Sequence, residues 1–293
     1  HYRSEIAVNT IQFATNILNI WKNYNIVILV GNHDSYYKDR VDVNSLSLFD
    51  GWSNVTVISE PTKITSYGKE LLICPWGTSS EELTKSDIIF GHFEIESFKM
   101  NQFKVCTDGA KSKDLLKNTD LVLTGHFHLR EEREYKNGKI LYVGNPYQMD
   151  FGDVNSTKGY YILDIKNKQY NFYENSVSPQ HKKIFLSKLV KYPGITSQVK
   201  EMFNNNIVKL IIDRDISSDE IELLLTKFSE LNAISITTDY IVNFNKFGID
   251  DVDASNISGV DIPTAIEEFV NLLEIENKKE VTDHTLELYK NSK

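Results

Sequence analysis

Leu121-Val122-Leu123-Thr124-Gly125-His126-Phe127-His128 decides the fold of this chain. A short apolar run ends in a glycine, and two histidines follow with one residue between them. The run reads as a buried strand. The glycine permits a sharp turn and a close backbone approach. Both histidines would then face the space beyond the strand's carboxyl end, where open α/β sheets collect their ligands. Two earlier stretches share this build: Ile26 to Val30 runs into Gly31-Asn32-His33-Asp34, and Ile88-Ile89-Phe90 runs into Gly91-His92. These turns hold four of the seven histidines, which points to one cleft that binds metal.

The composition is that of a globular protein, 41% hydrophobic and 25% charged over 293 residues. No apolar stretch has the length of a membrane span, and no secretory signal is visible. Cys74 and Cys106 lie far apart and outside any CxxC pattern, which fits a reducing compartment and argues against a thiolate zinc site. A net charge of −9 excludes a generic nucleic-acid binder, so any DNA contact must be local or bridged by metal ions. The first residue is His1, not Met, and the chain reads as a fragment whose true start is missing.

An amphipathic helix over 4–23, with Ser4 as its N-cap, is expected to pack on a sheet through Ile11, Ala14, Ile17, Leu18 and Trp21. Strand 26–30 follows. In the next loop Asn32 offers a neutral oxygen ligand, and Asp34 is placed to orient the His33 ring. Ser35 to Arg40 reads as an exposed polar loop or a substrate contact, and 45–49 as one helical turn. Short strands are expected at 55–58, 62–66, 70–74 and 87–90, and Trp76 is read as core or cleft lining, core being the simpler. Asn137-Gly138 marks a hairpin that ends at Gly144-Asn145-Pro146. Strands 159–165 and 169–174 form another.

Composition shifts near Ser176-Val177-Ser178-Pro179, which divides a first domain (1–178) from a small α/β unit (179–244). In that unit strands are expected at 183–190, 207–213 and 233–241, and helices at 195–203 and 218–230. Its Lys182, Lys183, Lys188 and Lys191 can reach phosphates, although solvation is the simpler role. The remainder (245–293) is a polar linker followed by an apolar helical face (Ala265, Ile266, Phe269, Leu272, Leu273, Ile275) and a final short helix. That face either docks on a partner or folds back on its own domain.

Imidazoles and an amide without thiolates suit manganese, iron or zinc. Two ions roughly 3.5–4 Å apart would clamp both the attacking and the leaving oxygen of a phosphodiester. A histidine outside the coordination sphere, best filled by His33, would protonate the leaving group.

Taken together, Gly31-Asn32-His33-Asp34, Gly91-His92 and Gly125-His126-Phe127-His128 resemble the motifs of the calcineurin-like metallophosphoesterase superfamily. Within it, Gly144-Asn145-Pro146-Tyr147-Gln148, the small α/β unit and the terminal helices resemble the SbcD-type nuclease subunit of the double-strand-break processing complex, in its phage recombination form. The resemblance implies an α/β fold of two mixed β-sheets flanked by helices, N-terminally truncated, with an α/β cap domain near 181–242 and partner-binding helices near 262–292. It implies that Asn32, His92 and His126 bind one ion, that His128 binds a second, and that His33, oriented by Asp34, is the catalytic non-ligand. Manganese is the expected metal, with magnesium, iron or zinc as alternatives. The implied partners are DNA, a coiled-coil SbcC-type ATPase and a second copy of the chain, in the cytoplasm of a host cell and away from membranes.

The chain departs from the family in lacking its Asp-x-His and Gly-Asp-x-x-Asp motifs, which belong upstream of a helix like 4–23. The chain as it stands is therefore expected to be nearly inactive. A stand-alone phosphatase or small-molecule phosphodiesterase, and a non-catalytic scaffold for DNA and the ATPase, are the competing readings. The cap and terminal helices favour the nuclease, because a small-substrate enzyme needs neither.

Overall fold

The computed structural model describes residues 5–189, 194–214, 216–241, 262–273 and 275–291, with only the backbone described at 262, 265, 268, 272 and 291. The chain divides into two compact units. One covers the described residues up to Lys183 with Met202–Val208 and Asn232–Ser235. The other covers those of Ile184–Glu201, Lys209–Leu231 and 236–293. The expected boundary at 178–179 lies just before this division.

The chain opens on α1 (Val8–Ile20), followed by β1 (Ile26–Leu29). A 3-10 turn (Ser45–Phe49), capped by Asn44, leads to β2 (Val55–Ile58), which pairs parallel to β1. β3 (Thr62–Ser66), β4 (Lys69–Cys74) and β5 (Ile88–Gly91) come next. After the short α2 (Ser112–Leu115) come β6 (Leu121–Thr124), β7 (Glu131–Tyr135) and β8 (Gly138–Tyr142). These last six strands form one sheet in the order β3-β4-β5-β6-β8-β7. Its centre, β4-β5-β6-β8, is parallel, and both edges are antiparallel. Parallel strands covered on both faces read as unbroken apolar runs, which is why Leu121 to Leu123 and Ile88-Ile89 carry no alternation. β9 (Gly159–Asp164) and β10 (Gln169–Glu174) pair as a separate hairpin.

The six-stranded sheet has a core on each face. On one, Leu71, Ile73, Ile88, Leu121, Leu123 and Leu141 meet Ile58, Leu29 of β1 and the β9–β10 side chains Tyr161, Leu163 and Tyr170. On the other, Val122, Ile140 and Tyr142 meet Phe93, Phe98 and Leu115. Side-chain alternation along each strand separates the two sets. The architecture is a mixed α/β fold.

Further along, β11 (His181–Phe185), β12 (Ile207–Ile212) and β13 (Ser235–Tyr240) form a sheet with β12 central. α3 (Leu186–Leu189), α4 (Ser197–Phe203) and α5 (Ser218–Ser229) intervene, and α5 starts on a capping box of Ser217 and Glu220. The strand expected over 183–190 is half helix. Asp213 accepts from both the N–H and the hydroxyl of Ser187, which turns the backbone after Phe185. α6 (Ile262–Leu272) and α7 (Lys278–Asn291) pack on each other, with Val270 buried. The expected linker falls almost wholly in 242–261, outside the described residues, as do Ser4 and Lys191.

α1 also departs from expectation. It buries no side chain: Phe13 is 67% and Ile20 70% exposed, and Ile11, Ala14 and Leu18 are only half-buried. Its N-cap is Ala7, which makes no side-chain cap. Among the described residues no helix is long and apolar enough to cross a membrane.

Candidate metal centre

The three Gly-His turns come from neighbouring strand ends. β5 and β6 are paired in the sheet, and β1 lies over them. Backbone bonds hold the turns together: His92 N–H donates to Cys74 O at 3.2 Å and Gly125 N–H to Gly91 O at 2.9 Å. The Thr124 hydroxyl, buried, donates to Gly91 O and accepts from Phe93 N–H.

The glycines serve close approach. A Cβ at Gly31 would lie 3.1 Å from His92 Cε1, one at Gly125 3.3 Å from His92 Nδ1, and one at Gly91 inside the Phe93 ring. The sharp turn expected at Gly125 falls one residue later. His126 itself has φ of 90°, a left-handed conformation that a non-glycine residue holds only where its surroundings impose it.

The turns bring three donor atoms together. Asn32 Oδ1 lies 3.0 Å from His92 Nε2, and His92 Nε2 lies 3.3 Å from His126 Nδ1. Ligand atoms bonded to one cation at ~2.0–2.2 Å and separated by right or tetrahedral angles lie about 3.0–3.5 Å apart. His92 Nε2 thus stands at a shared-ion separation from Asn32 Oδ1 on one side and from His126 Nδ1 on the other. No group of three or more His, Cys, Asp or Glu side chains is placed to hold a metal among the described residues, so the third donor here is the amide.

Glu94 fixes the chemistry of this set. Its Oε1 lies 3.1 Å from His126 Nε2. A carboxylate accepts, so the His126 proton sits on Nε2 and its Nδ1 lone pair faces His92 and Asn32. Burial pushes His92 down to about 3, helped by the charges of His126 and His33. Burial also lowers His126, against the pull of Glu94. Both imidazoles are neutral at pH 7; His92 Nε2 carries the hydrogen that Asn32 Oδ1 and His126 Nδ1 accept, and binding a cation there would move that proton to His92 Nδ1. The Trp76 ring stacks on His126 at 4.9 Å and 30°, meets His92 edge-on at 6.0 Å, and donates from Nε1 to Lys38 O at 3.3 Å. Of the two readings of Trp76, the structure favours cleft lining over core: this half-buried ring covers the site.

The remaining candidates are less enclosed. His33 and His128 are exposed, yet the charge of His33 reaches Asp34, His92 and His126, and that of His128 reaches His126. Asp34 is half-buried, and its Oδ2 accepts from Gly31 N–H at 2.8 Å. That bond closes its own loop, and no bond from Asp34 to the His33 ring is formed. Burial raises Asp34, against the Gly31 N–H and His33. Both cysteines are buried and reduced, and burial followed by Glu82 pushes Cys74 up to about 12. A cavity of about 480 Å³ runs beneath His92, lined by Leu29, Phe90, Thr124, Val143 and Tyr161 among others.

No family model matches the sequence. Exonuclease subunit 1 of Enterobacteria phage T4 is 26% identical over 283 residues, 92% of this chain and 78% of that protein. The chain is similar to a nuclease subunit. The SbcD component of nuclease SbcCD from Staphylococcus epidermidis (strain ATCC 12228 / FDA PCI 1200) is 26% identical over 200 residues, 57% of this chain and 53% of that protein. The aligned part spans about half the length of the staphylococcal protein. Both similarities support the SbcD-type nuclease family.

Glu94 is the site residue that sequence reasoning passed over, and Trp76 the one for which it preferred the core. Glu94 follows His92 by two residues, so on an extended backbone it leaves on the same side. That spacing was the available signal. Trp76 follows β4 by two residues, and nothing in its local sequence distinguishes a lid from a core aromatic.

Proposed function

We propose that this chain is the nuclease subunit of a DNA-processing nuclease–ATPase pair and hydrolyses phosphodiester bonds with two divalent ions, manganese first among them. The observation that carries the reading is the pair of contacts that His92 Nε2 makes with Asn32 Oδ1 and His126 Nδ1. The printed names of both relatives, one part of an exonuclease and the other part of the SbcCD nuclease, support the reaction class and a partner subunit. Asn32, His92 and His126 would hold one ion and His128 the other. When bound, such ions supply Lewis acidity at the scissile phosphodiester. His33, exposed beside the cluster, would donate a proton to the leaving oxygen. Glu94 keeps the His126 proton on Nε2, and Trp76 keeps water off one face of that ring.

With a net charge of −9, DNA binding must rest on local contacts and the ions. In this reading α6 and α7 dock on the coiled coil of the ATPase, the complex carries two copies of the chain, and it works in the cytoplasm of a phage-infected host. The test is degradation of single-stranded DNA in manganese by the complete protein and its ATPase complex. Activity that disappears with a chelator and in His92→Ala and His126→Ala supports the reading. Activity indifferent to both substitutions refutes it.

A further inference from the structure

The loop Ser35 to Arg40 follows Asp34 directly, and the function proposed above makes no use of it. Its base is pinned. Ser35, fully buried, donates from Oγ to Gly31 O at 3.1 Å and bridges to Asn44 across the loop. Tyr36 N–H donates to Val43 O at 2.9 Å, Ser45 N–H to Asp34 O at 2.9 Å, and Asn44 Nδ2 to Val41 O at 2.8 Å. From this base the loop carries two adjacent aromatic side chains into solvent: Tyr36 is 49% and Tyr37 39% exposed. Their rings meet at 4.8 Å and 80°. The Arg40 guanidinium lies 3.9 Å from the centre of the Tyr37 ring, a cation–π contact. Tyr37 is thus braced by its neighbours, and Tyr36 has the more open surface.

The loop is also tied to the imidazoles. Trp76 Nε1 donates to Lys38 O at 3.3 Å, and the same indole stacks on His126 at 4.9 Å. One side chain therefore links the aromatic pair to the candidate metal centre. A single exposed aromatic is ordinary. Two rings and a guanidinium held together on a pinned loop beside such a centre are a preorganised surface, which binds without first paying to order itself.

Charge decides what that surface suits. Lys38 and Arg40 are offset by Asp39 and Asp42, and Arg40 Nε lies 3.2 Å from Asp42 Oδ1. The loop has little to offer a phosphate backbone. It has a π-face to offer a base, and stacking needs no net charge, which fits a chain whose own charge is −9. In a duplex the base faces already cover one another. A ring beside the centre can take one only from an unpaired strand.

We propose that Tyr36, braced by Tyr37 and Arg40, is a stacking platform for an unpaired nucleobase of the DNA strand that enters the metal centre. The proposal rests on the nuclease reading. Tyr36 binds the strand and takes no part in the chemistry.

The test reads affinity and not cleavage. The complete protein is titrated in MnCl2 with two labelled single strands of equal length and charge, both phosphorothioate-linked to resist hydrolysis. One is oligo-dT, and the other is the same backbone with abasic sites throughout. Wild type should bind the base-bearing strand about tenfold more tightly or better, as one stacked base predicts. Tyr36 is half exposed, so Tyr36→Leu keeps the fold. It should lose most of that preference while its affinity for the abasic strand stays within about threefold of wild type. Tyr36→Phe, which keeps the ring, should retain the preference. Equal wild-type affinity for the two strands overturns the proposal without any variant. An equal loss on both strands in Tyr36→Leu, or the same loss in Tyr36→Phe as in Tyr36→Leu, also overturns it. If wild type binds neither strand, the nuclease reading itself fails, and this proposal falls with it.

Discussion

Glu94 Oε1 and His126 Nε2 lie 3.1 Å apart, and this contact decides which nitrogen of His126 faces Asn32 and His92. Without the carboxylate the ring is free to carry its proton on Nδ1, which would turn a donor hydrogen toward the metal position. Glu94→Ala should therefore lower Mn2+ affinity about 10–100-fold. Glu94→Gln, which keeps an acceptor oxygen, should lose less. Isothermal titration of the three proteins with MnCl2 measures this, and equal affinities would show that Glu94 does not set the tautomer.

His33 has a different role. It is exposed and makes its presence felt at Asp34, His92 and His126 through charge alone. Placed as a proton donor, it should contribute about 10²–10⁴-fold to the rate. In the complete protein, His33→Ala should thus leave manganese content unchanged while DNA cleavage falls by that factor. Loss of bound manganese in the same variant would make His33 a ligand.

The pH dependence of folding should carry a signature of His92. Burial, with the charges of His126 and His33, lowers it from 6.5 to about 3. The folded chain then binds fewer protons at this ring than the unfolded chain between those values, so stability falls as pH drops below 6.5. One such group removes up to about 1.4 kcal/mol per pH unit. Urea denaturation of the metal-free protein at pH 7, 6 and 5 should show this loss. His92→Gln should show a flatter profile over the same range, and identical slopes would mean that His92 titrates normally.

Trp76 offers an optical probe. It is one of three tryptophans, and the one whose ring stacks on His126. Binding of paramagnetic Mn2+ at His126 should quench a distinct part of the tryptophan emission. In Trp76→Phe that fraction should vanish while binding persists. Full quenching in the phenylalanine variant would place the ion elsewhere.

Much of this was legible in the sequence because buried parallel strands announce themselves. Ile88 to Phe90 and Leu121 to Leu123 are unbroken apolar runs in buried strands, whereas Ile26 to Leu29 reads the same but leaves Val27 48% exposed, so the burial expected of that strand is not met. The hairpin marked by Asn137-Gly138 did fall between β7 and β8, but its loop is Lys136-Asn137, with Gly138 already paired to Tyr135. Long-range contacts were not legible. Nothing local to Trp76 says that it lies over His126, fifty residues away, and nothing local to Lys158 says that it reaches the carbonyl of His128. Rather than bonding the His33 ring, Asp34 Oδ2 accepts from Gly31 N–H, three residues back, a bond that closes the loop. α1 shows the opposite limit. Its apolar spacing promised burial, but periodicity records an apolar face and not what covers it.

The most direct measurement is anomalous diffraction from crystals soaked in MnCl2. A manganese peak is expected within about 2.0–2.2 Å of Asn32 Oδ1, His92 Nε2 and His126 Nδ1 together, with Glu94 still on His126 Nε2. A peak bonded through His126 Nε2, or none within reach of the three atoms, would contradict the assignment of this cluster as the metal centre.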